Sequence, residues 1–207
     1  MPKLRISVGL EVAAKFDVMT TYYAVNALFR AGGEPRLDAD LTKLKGVEPY
    51  LKYAQAYFHC ANELIHAVEN DTYRIATELA VYPIAFLYRH GIELYLKHLV
   101  PRLSSRANAP VAPKLTHKLS DNWATLLPLL KNDDDVVPDD EKIAISVIAD
   151  ILDDFLAFDP TGEEFRFPEL RDGRPSLRGG SIVNLEVLRD GMSILEDYFD
   201  RWSERAR

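Results

Sequence analysis

Two long runs of helical spacing, residues 47–69 and 72–99, are separated only by Asn70 and Asp71. This pairing constrains the fold more than any other feature of the chain. In the first run Tyr50, Leu51, Ala54, Tyr57, Phe58, Ala61, Leu64, Ile65 and Val68 recur at intervals of three and four, and Pro49 sits in the first turn, where its missing N–H costs nothing. The second run contains Pro83, which is expected to kink or split it, and Pro101 falls just beyond its end. Apolar stripes of this length must be buried against one another, which points to a helical bundle.

The rest of the chain fits that architecture. Residues 104–113 (SSRANAPVAP) read as a loop, 120–131 as a shorter helix and 132–141 (NDDDVVPDDE) as a solvated acidic loop with a helix-capping end. Residues 142–158 are helical, and Asn184 is placed to cap a last helix over 185–205. The expected fold class is all-α in the main: an up-and-down helical bundle of about five main helices with a small β element. That element has two parts. Leu4, Ile6, Val8, Leu10 and Val12 alternate as a strand does, and a hairpin is expected near 163–180, where Phe165 and Phe167 alternate with charges before the turn RDGR. The chain reads as a single domain, 1–207. Residues 1–45 form an extension of that strand and a helix ending at Gly32-Gly33-Glu34-Pro35, and 46–207 form the bundle.

Composition narrows the function classes. The only cysteine, Cys60, excludes an intrachain disulfide, makes a reducing cytoplasm the expected location and reads as a small core residue. The longest apolar run, 79–88, is about half of what a membrane helix needs, so no membrane partner is expected. A net charge of −7 is opposite to that of a protein that coats long nucleic acids, yet it leaves room for a local site for a nucleotide or one RNA strand. No P-loop, GxGxxG, GxSxG or HExxH is present. Glu63-x-x-His66, with His59 on the same face, is a single copy of a pattern that di-metal carboxylate sites need twice. The acidic run lacks the glycine and ligand spacing of a calcium loop. Neither a metal nor a cofactor is expected.

The residues with chemistry to offer lie in FLYRHGIELYLKHLV, residues 86–100. On a helix, Tyr88, Ile92, Tyr95, Leu96 and Leu99 form one wide apolar face, and Leu87 and Leu94 form a second edge. Between them Arg89, His90, Glu93 and Lys97 share a narrow stripe with Phe86. A charged stripe bordered by apolar residues is partly buried, and buried charges have to be paired. Two readings follow. Arg89–Glu93 and Glu93–Lys97 can be simple i,i+4 pairs that support the helix. Alternatively, Glu93 and Lys97 anchor a site together with distant polar residues, for which His117 in LTHKLSDNW and Arg166 in FRFP are the best candidates. His59, His66 and His98 read as packing or surface histidines. The arginines at 166, 171, 174 and 178 are offset by Glu163, Glu164, Glu169 and Asp172, so that segment is about neutral.

The combination RHGIELYLKHL, THKLSDNWATLL and DPTGEEFRFP resembles bacterial members of the HEPN superfamily over about residues 75–205. The matching positions are Arg89, His90, Glu93, Leu94 and Lys97, then His117 and Leu119, then Phe165, Arg166 and Pro168. The resemblance implies an up-and-down bundle that dimerises, acting in a defence, toxin–antitoxin or RNA-processing system. Many such proteins are metal-independent ribonucleases in which a histidine follows an arginine by four to six residues. In this chain none of His59, His66, His90, His98 and His117 follows an arginine at that spacing.

The expectation is therefore a cytoplasmic HEPN-like homodimer that binds RNA, a nucleotide or a partner protein without the usual nuclease motif, with Arg89, His90, Glu93 and Lys97 as binding residues. One alternative is a metal-independent endoribonuclease with a different centre, in which His117 is the acid/base and Arg166 and Lys97 stabilise phosphate charge. Another is an assembly subunit with no ligand, whose N-terminal strand recruits a partner.

Overall fold

The computed structural model of the chain describes residues 32–40, 43, 48–72, 74–109, 113–170, 172–176 and 182–207. The chain divides into two compact units, Met1–Lys45 and Gly46–Arg207. Within the first, the described residues hold a short 3-10 helix, Pro35–Leu37, and a loop in which the Gly32 N–H donates to Asp38 Oδ1 at 2.8 Å. The strand expected at 4–12 and the helix expected at 13–30 lie outside the described residues.

The described residues of the second unit form a bundle of five α-helices: α1 (Pro49–Glu69), α2 (Thr77–Arg106), α3 (Leu119–Lys131), α4 (Ile143–Phe158) and α5 (Leu185–Arg205). Helix α1 lies along α2, and the run of contacts is antiparallel: Phe58 meets Gly91, while Asn62, further along α1, meets Tyr88, earlier in α2. The approach is closest at Gly91, where an added Cβ would stand 2.5 Å from the Phe58 ring. Helices α3 and α5 also pack on α2, and α4 bridges α3 and α5. Helix α2 is therefore central, which explains why it is apolar nearly all round: Ile84, Tyr88, Ile92, Tyr95, Leu96, Leu99 and Val100 are all buried. Helix α1 is amphipathic by comparison and buries Leu51, Ala54, Phe58, Ala61 and Ile65.

Four local expectations need correction. Helix α2 runs unbroken through Pro83 and past Pro101 to Arg106, so the following loop begins later than the sequence suggests. Proline removes only one helical donor, and burial of Leu103 and Ser104 on the same side holds the last turn in place. The hairpin shrinks to one antiparallel bridge, Glu169 to Pro175, around a turn in which Gly173 has φ +80°. No strand occurs among the described residues. Ahead of that bridge, residues 164–166 form a turn closed by Arg166 N–H to Glu163 O, so Phe165 and Phe167 do not share a strand face. Finally, Cys60 is exposed, because it lies on the side of α1 away from the buried stripe. Asn184 caps α5 as expected, accepting from the Glu186 and Val187 N–H groups at 2.9 and 3.1 Å.

His98 is buried on α2, and its Nε2 has no hydrogen-bond partner. Burial, reinforced by the nearby Arg102 charge, pushes its pKa down to about 4. The neutral ring is therefore the folded form, while the unfolded chain takes up the proton at its ordinary value near 6.5. Stability is expected to fall as pH drops from about 6.5 towards 4. His98→Leu should flatten that part of a pH series of urea unfolding midpoints; an unchanged slope would show that another group carries the acid response.

Candidate functional site

The polar stripe of α2 is the centre of a buried charged node that joins three parts of the chain. Glu93, whose side chain is 6 % exposed, uses Oε1 twice: Lys97 Nζ lies at 2.7 Å and His117 Nδ1 at 2.9 Å. Its second oxygen, Oε2, faces Arg89 Nη1 at 3.7 Å. Arg89 in turn places Nε 2.9 Å from Asp159 Oδ2, just beyond the end of α4. The stripe therefore holds more than i,i+4 pairs, because it ties α2 to the loop before α3 and to the loop after α4.

Both loops are built to deliver their residue. Thr116 is clamped by Asn122 of α3: the Thr116 N–H donates to Asn122 Oδ1 at 3.0 Å, and Asn122 Nδ2 donates to Thr116 O at 2.9 Å. Asn122 is 1 % exposed, so this clamp is fixed by the core and sets the position of His117. After α4, Asp159 Oδ1 accepts from the Gly162 N–H at 2.7 Å and the Glu164 N–H at 3.3 Å, closing a tight turn. Gly162 adopts φ +84°, and its bare Cα lies against the Arg89 guanidinium. Phe165 follows into the core against Tyr82 and Phe155.

The residues expected from the sequence do not all hold the same place. Arg89, Glu93, Lys97 and His117 are joined directly. His90 borders the node: its ring meets Tyr57 edge-on at 4.5 Å and lies parallel to Phe86 at 6.2 Å, and burial pushes its pKa below the ordinary value. Arg166 is exposed and pairs with no carboxylate in the node. Its guanidinium lies between two rings, 5.9 Å from the centre of Phe86 and 5.1 Å from that of Phe167. It thus stands beside the Phe86–His90 side of the node instead of pointing into it. His117 is the other exposed group, with 91 % of its side chain accessible although Nδ1 is held by Glu93.

Asp159, Gly162 and Glu164 belong to the node but are not singled out by the sequence. The signal available is local: in DPTG an aspartate ends an apolar helix three residues before a glycine, the spacing of a side-chain-closed turn. Nothing in that spacing identifies Arg89 as the partner. Burial of Asp159 and the Glu164 carboxyl beside it push Asp159 up to about 6, against the pull of Arg89. Burial also works to raise Glu164, but bonds from Asp159, Thr161 and the backbone hold it below its ordinary value.

Chemically, the node presents one exposed imidazole oriented by a buried carboxylate, a lysine on the same carboxylate oxygen, and nearby an arginine that pairs with no carboxylate among the described residues. Among the described residues no group of three His, Cys, Asp or Glu side chains is arranged to hold a metal ion, and no helix is long and apolar enough to cross a membrane. His66 pairs with Glu69 at 3.0 Å, while His59 is exposed. No protein-family model, curated protein or solved structure matches the chain.

Proposed function

We propose that the chain is a HEPN-like helical-bundle protein of a bacterial defence or toxin–antitoxin type system, working in the cytoplasm as a homodimer. In this reading it binds a phosphate-bearing ligand, RNA or a nucleotide, at the Glu93 node without the usual nuclease motif. The supporting observation is that Glu93 Oε1 holds both His117 and Lys97 while the His117 ring stays exposed. An imidazole held through Nδ1 leaves Nε2 to meet a phosphate, with Lys97 on the same carboxylate oxygen and Arg166 beside the Phe86–His90 edge of the node.

The same geometry favours a second reading, metal-independent RNA cleavage. A histidine oriented by a carboxylate is a general acid/base in waiting, able to take the proton of a ribose 2′-OH while the cations stabilise charge on the phosphate. Titration of labelled RNA and of nucleotides by fluorescence anisotropy, beside RNA cleavage with and without EDTA, separates the readings. His117→Ala is expected to weaken binding about tenfold, equivalent to about 1.4 kcal/mol, with little change in thermal midpoint because the ring is exposed. Cleavage that survives EDTA and disappears in this variant would establish the second reading. Neither binding nor cleavage by the wild type would leave an assembly role, with the node as a structural seam.

A further inference from the structure

A file of aromatic surfaces runs beside the node. On α1, Tyr50, Tyr53 and Tyr57 follow one another at three and four residues, which makes them neighbours on the helix surface. Tyr50 and Tyr53 are 49 % and 47 % exposed. Tyr57 meets the His90 ring edge-on at 4.5 Å, and His90 lies parallel to Phe86 at 6.2 Å, so the file crosses from α1 to α2. The Arg166 guanidinium continues it, 5.9 Å from the centre of Phe86 and 5.1 Å from that of Phe167, which is itself 46 % exposed. Lys97 lies seven residues after His90, two turns on, and therefore on the same side of α2. Its partner Glu93 also holds His117. Single exposed rings are ordinary, but a contiguous set ending on an arginine that pairs with no carboxylate among the described residues is a surface suited to holding something.

We propose that this file is a stacking track for unpaired nucleobases, so that the ligand of the node is a single-stranded stretch of RNA or DNA. The proposal rests on the proposed function for the phosphate met by His117 and Lys97, and adds what holds the bases. Aromatic faces and the guanidinium plane both stack on a base whatever its identity. In a duplex the faces of each base are covered by its neighbours, so a paired strand has nothing to lay on the track. A lone nucleotide covers only part of it. Tyr50 with Tyr53 and Arg166 with Phe167 stand at opposite ends of the chain of contacts, with the half-buried His90 and Phe86 between them. A bound strand would therefore cross from α1 over α2 to the loop after α4. Charge points the same way. A chain of net charge −7 is poorly suited to gathering many phosphates, whereas binding through base faces and few phosphates does not require a basic protein.

The experiment is fluorescence anisotropy with the full chain at fixed salt and labelled probes of about ten nucleotides, within the usual site size. The probes are a single-stranded RNA, the same sequence as DNA, the RNA duplex, and an abasic strand that keeps the phosphates and lacks the bases. A single strand should bind at least about tenfold more tightly than the duplex and the abasic strand. RNA bound better than DNA, or both bound alike, upholds the track and tells which strand it serves. Tyr50→Ala combined with Tyr53→Ala should weaken single-strand binding by about tenfold, while the paired Tyr→Phe changes should keep it. Both rings are about half exposed, so neither pair should move the thermal midpoint far. Equal binding of abasic and intact strands overturns the proposal without recourse to any variant, and so does full binding by the double alanine variant. His117→Ala separates this result from the proposed function. Binding that needs His117 but ignores the two tyrosines sinks the track alone, and binding that needs the tyrosines but not His117 sinks the reading of the node alone. No binding of any probe sinks both.

Discussion

Glu93→Ala should lower the stability of the protein by about 3–5 kcal/mol. The side chain is 6 % exposed and is the shared acceptor for Lys97 and His117, as well as facing Arg89. Its removal leaves a 7 % exposed guanidinium with Asp159 alone, and a lysine, 16 % exposed, with no carboxylate. Lys97 can recover part of the loss by extending its ammonium towards water, whereas Arg89 cannot move without abandoning Asp159. Glu93→Gln should cost less, since an amide oxygen still accepts from one of the two donors, but it leaves the two cations underbalanced. Urea unfolding at neutral pH gives both values. A loss below about 1 kcal/mol for Glu93→Ala would mean that Arg89, Glu93 and Lys97 act only as the helix-surface pairs that their spacing also allows, which are worth a few tenths of a kcal/mol each. Replacing Arg89, Glu93 and Lys97 together with apolar residues is the informative companion. A buried ionic cluster can be neutral in net stability even when breaking it is costly.

The sequence makes the helical frame legible because periodicity reports which side of a segment is buried, and α1, α4 and α5 each have one such side. It also makes the polar stripe legible, because charges at 89, 93 and 97 on an otherwise apolar helix have to be paired somewhere. His117 is named from the sequence only as a candidate partner for the stripe, and the structure sets its Nδ1 2.9 Å from Glu93 Oε1. What the spacing leaves undetermined is which distant groups answer the stripe. Asp159, Gly162 and Glu164 lie in a non-repeating turn, where side-chain-closed geometry depends on φ and on one buried partner, and neither has a periodic signature. Arg166 shows the same limit: its flanking phenylalanines suggest strand alternation, but a turn closed by Glu163 sends Phe165 into the core and leaves Phe167 over the guanidinium. The continuity of α2 through Pro83 and Pro101 is likewise a tertiary effect. A central helix packed by α1, α3 and α5 keeps its path despite two missing donors.

Gly162→Ala is expected to be the second most damaging substitution in the node, at about 2–4 kcal/mol. Two effects act together. At φ +84° a side chain strains the backbone by roughly 1–2 kcal/mol. The added methyl would also stand 2.6 Å from Arg89 Cζ and Nη2 and 2.9 Å from Nη1. An arginine tip on the surface would swing aside at little cost. Here the guanidinium is enclosed between Gly162, Asp159 and Glu93, and Nη2 is buried with no hydrogen-bond partner to guide it elsewhere. Relief therefore requires either breaking the Arg89–Asp159 pair or opening the turn that Asp159 Oδ1 closes. Gly173→Ala separates the two effects, because Gly173 has nearly the same backbone angle, φ +80°, with nothing within 4 Å of an added Cβ. Its cost should be the backbone strain alone, and the excess of Gly162→Ala over Gly173→Ala measures the contact with Arg89. Equal losses in the two variants would show that the turn yields freely and that Arg89 is not held by it. A clear excess, accompanied by a changed environment of the His117 ring, would show that the glycine keeps the guanidinium in line between its two carboxylates.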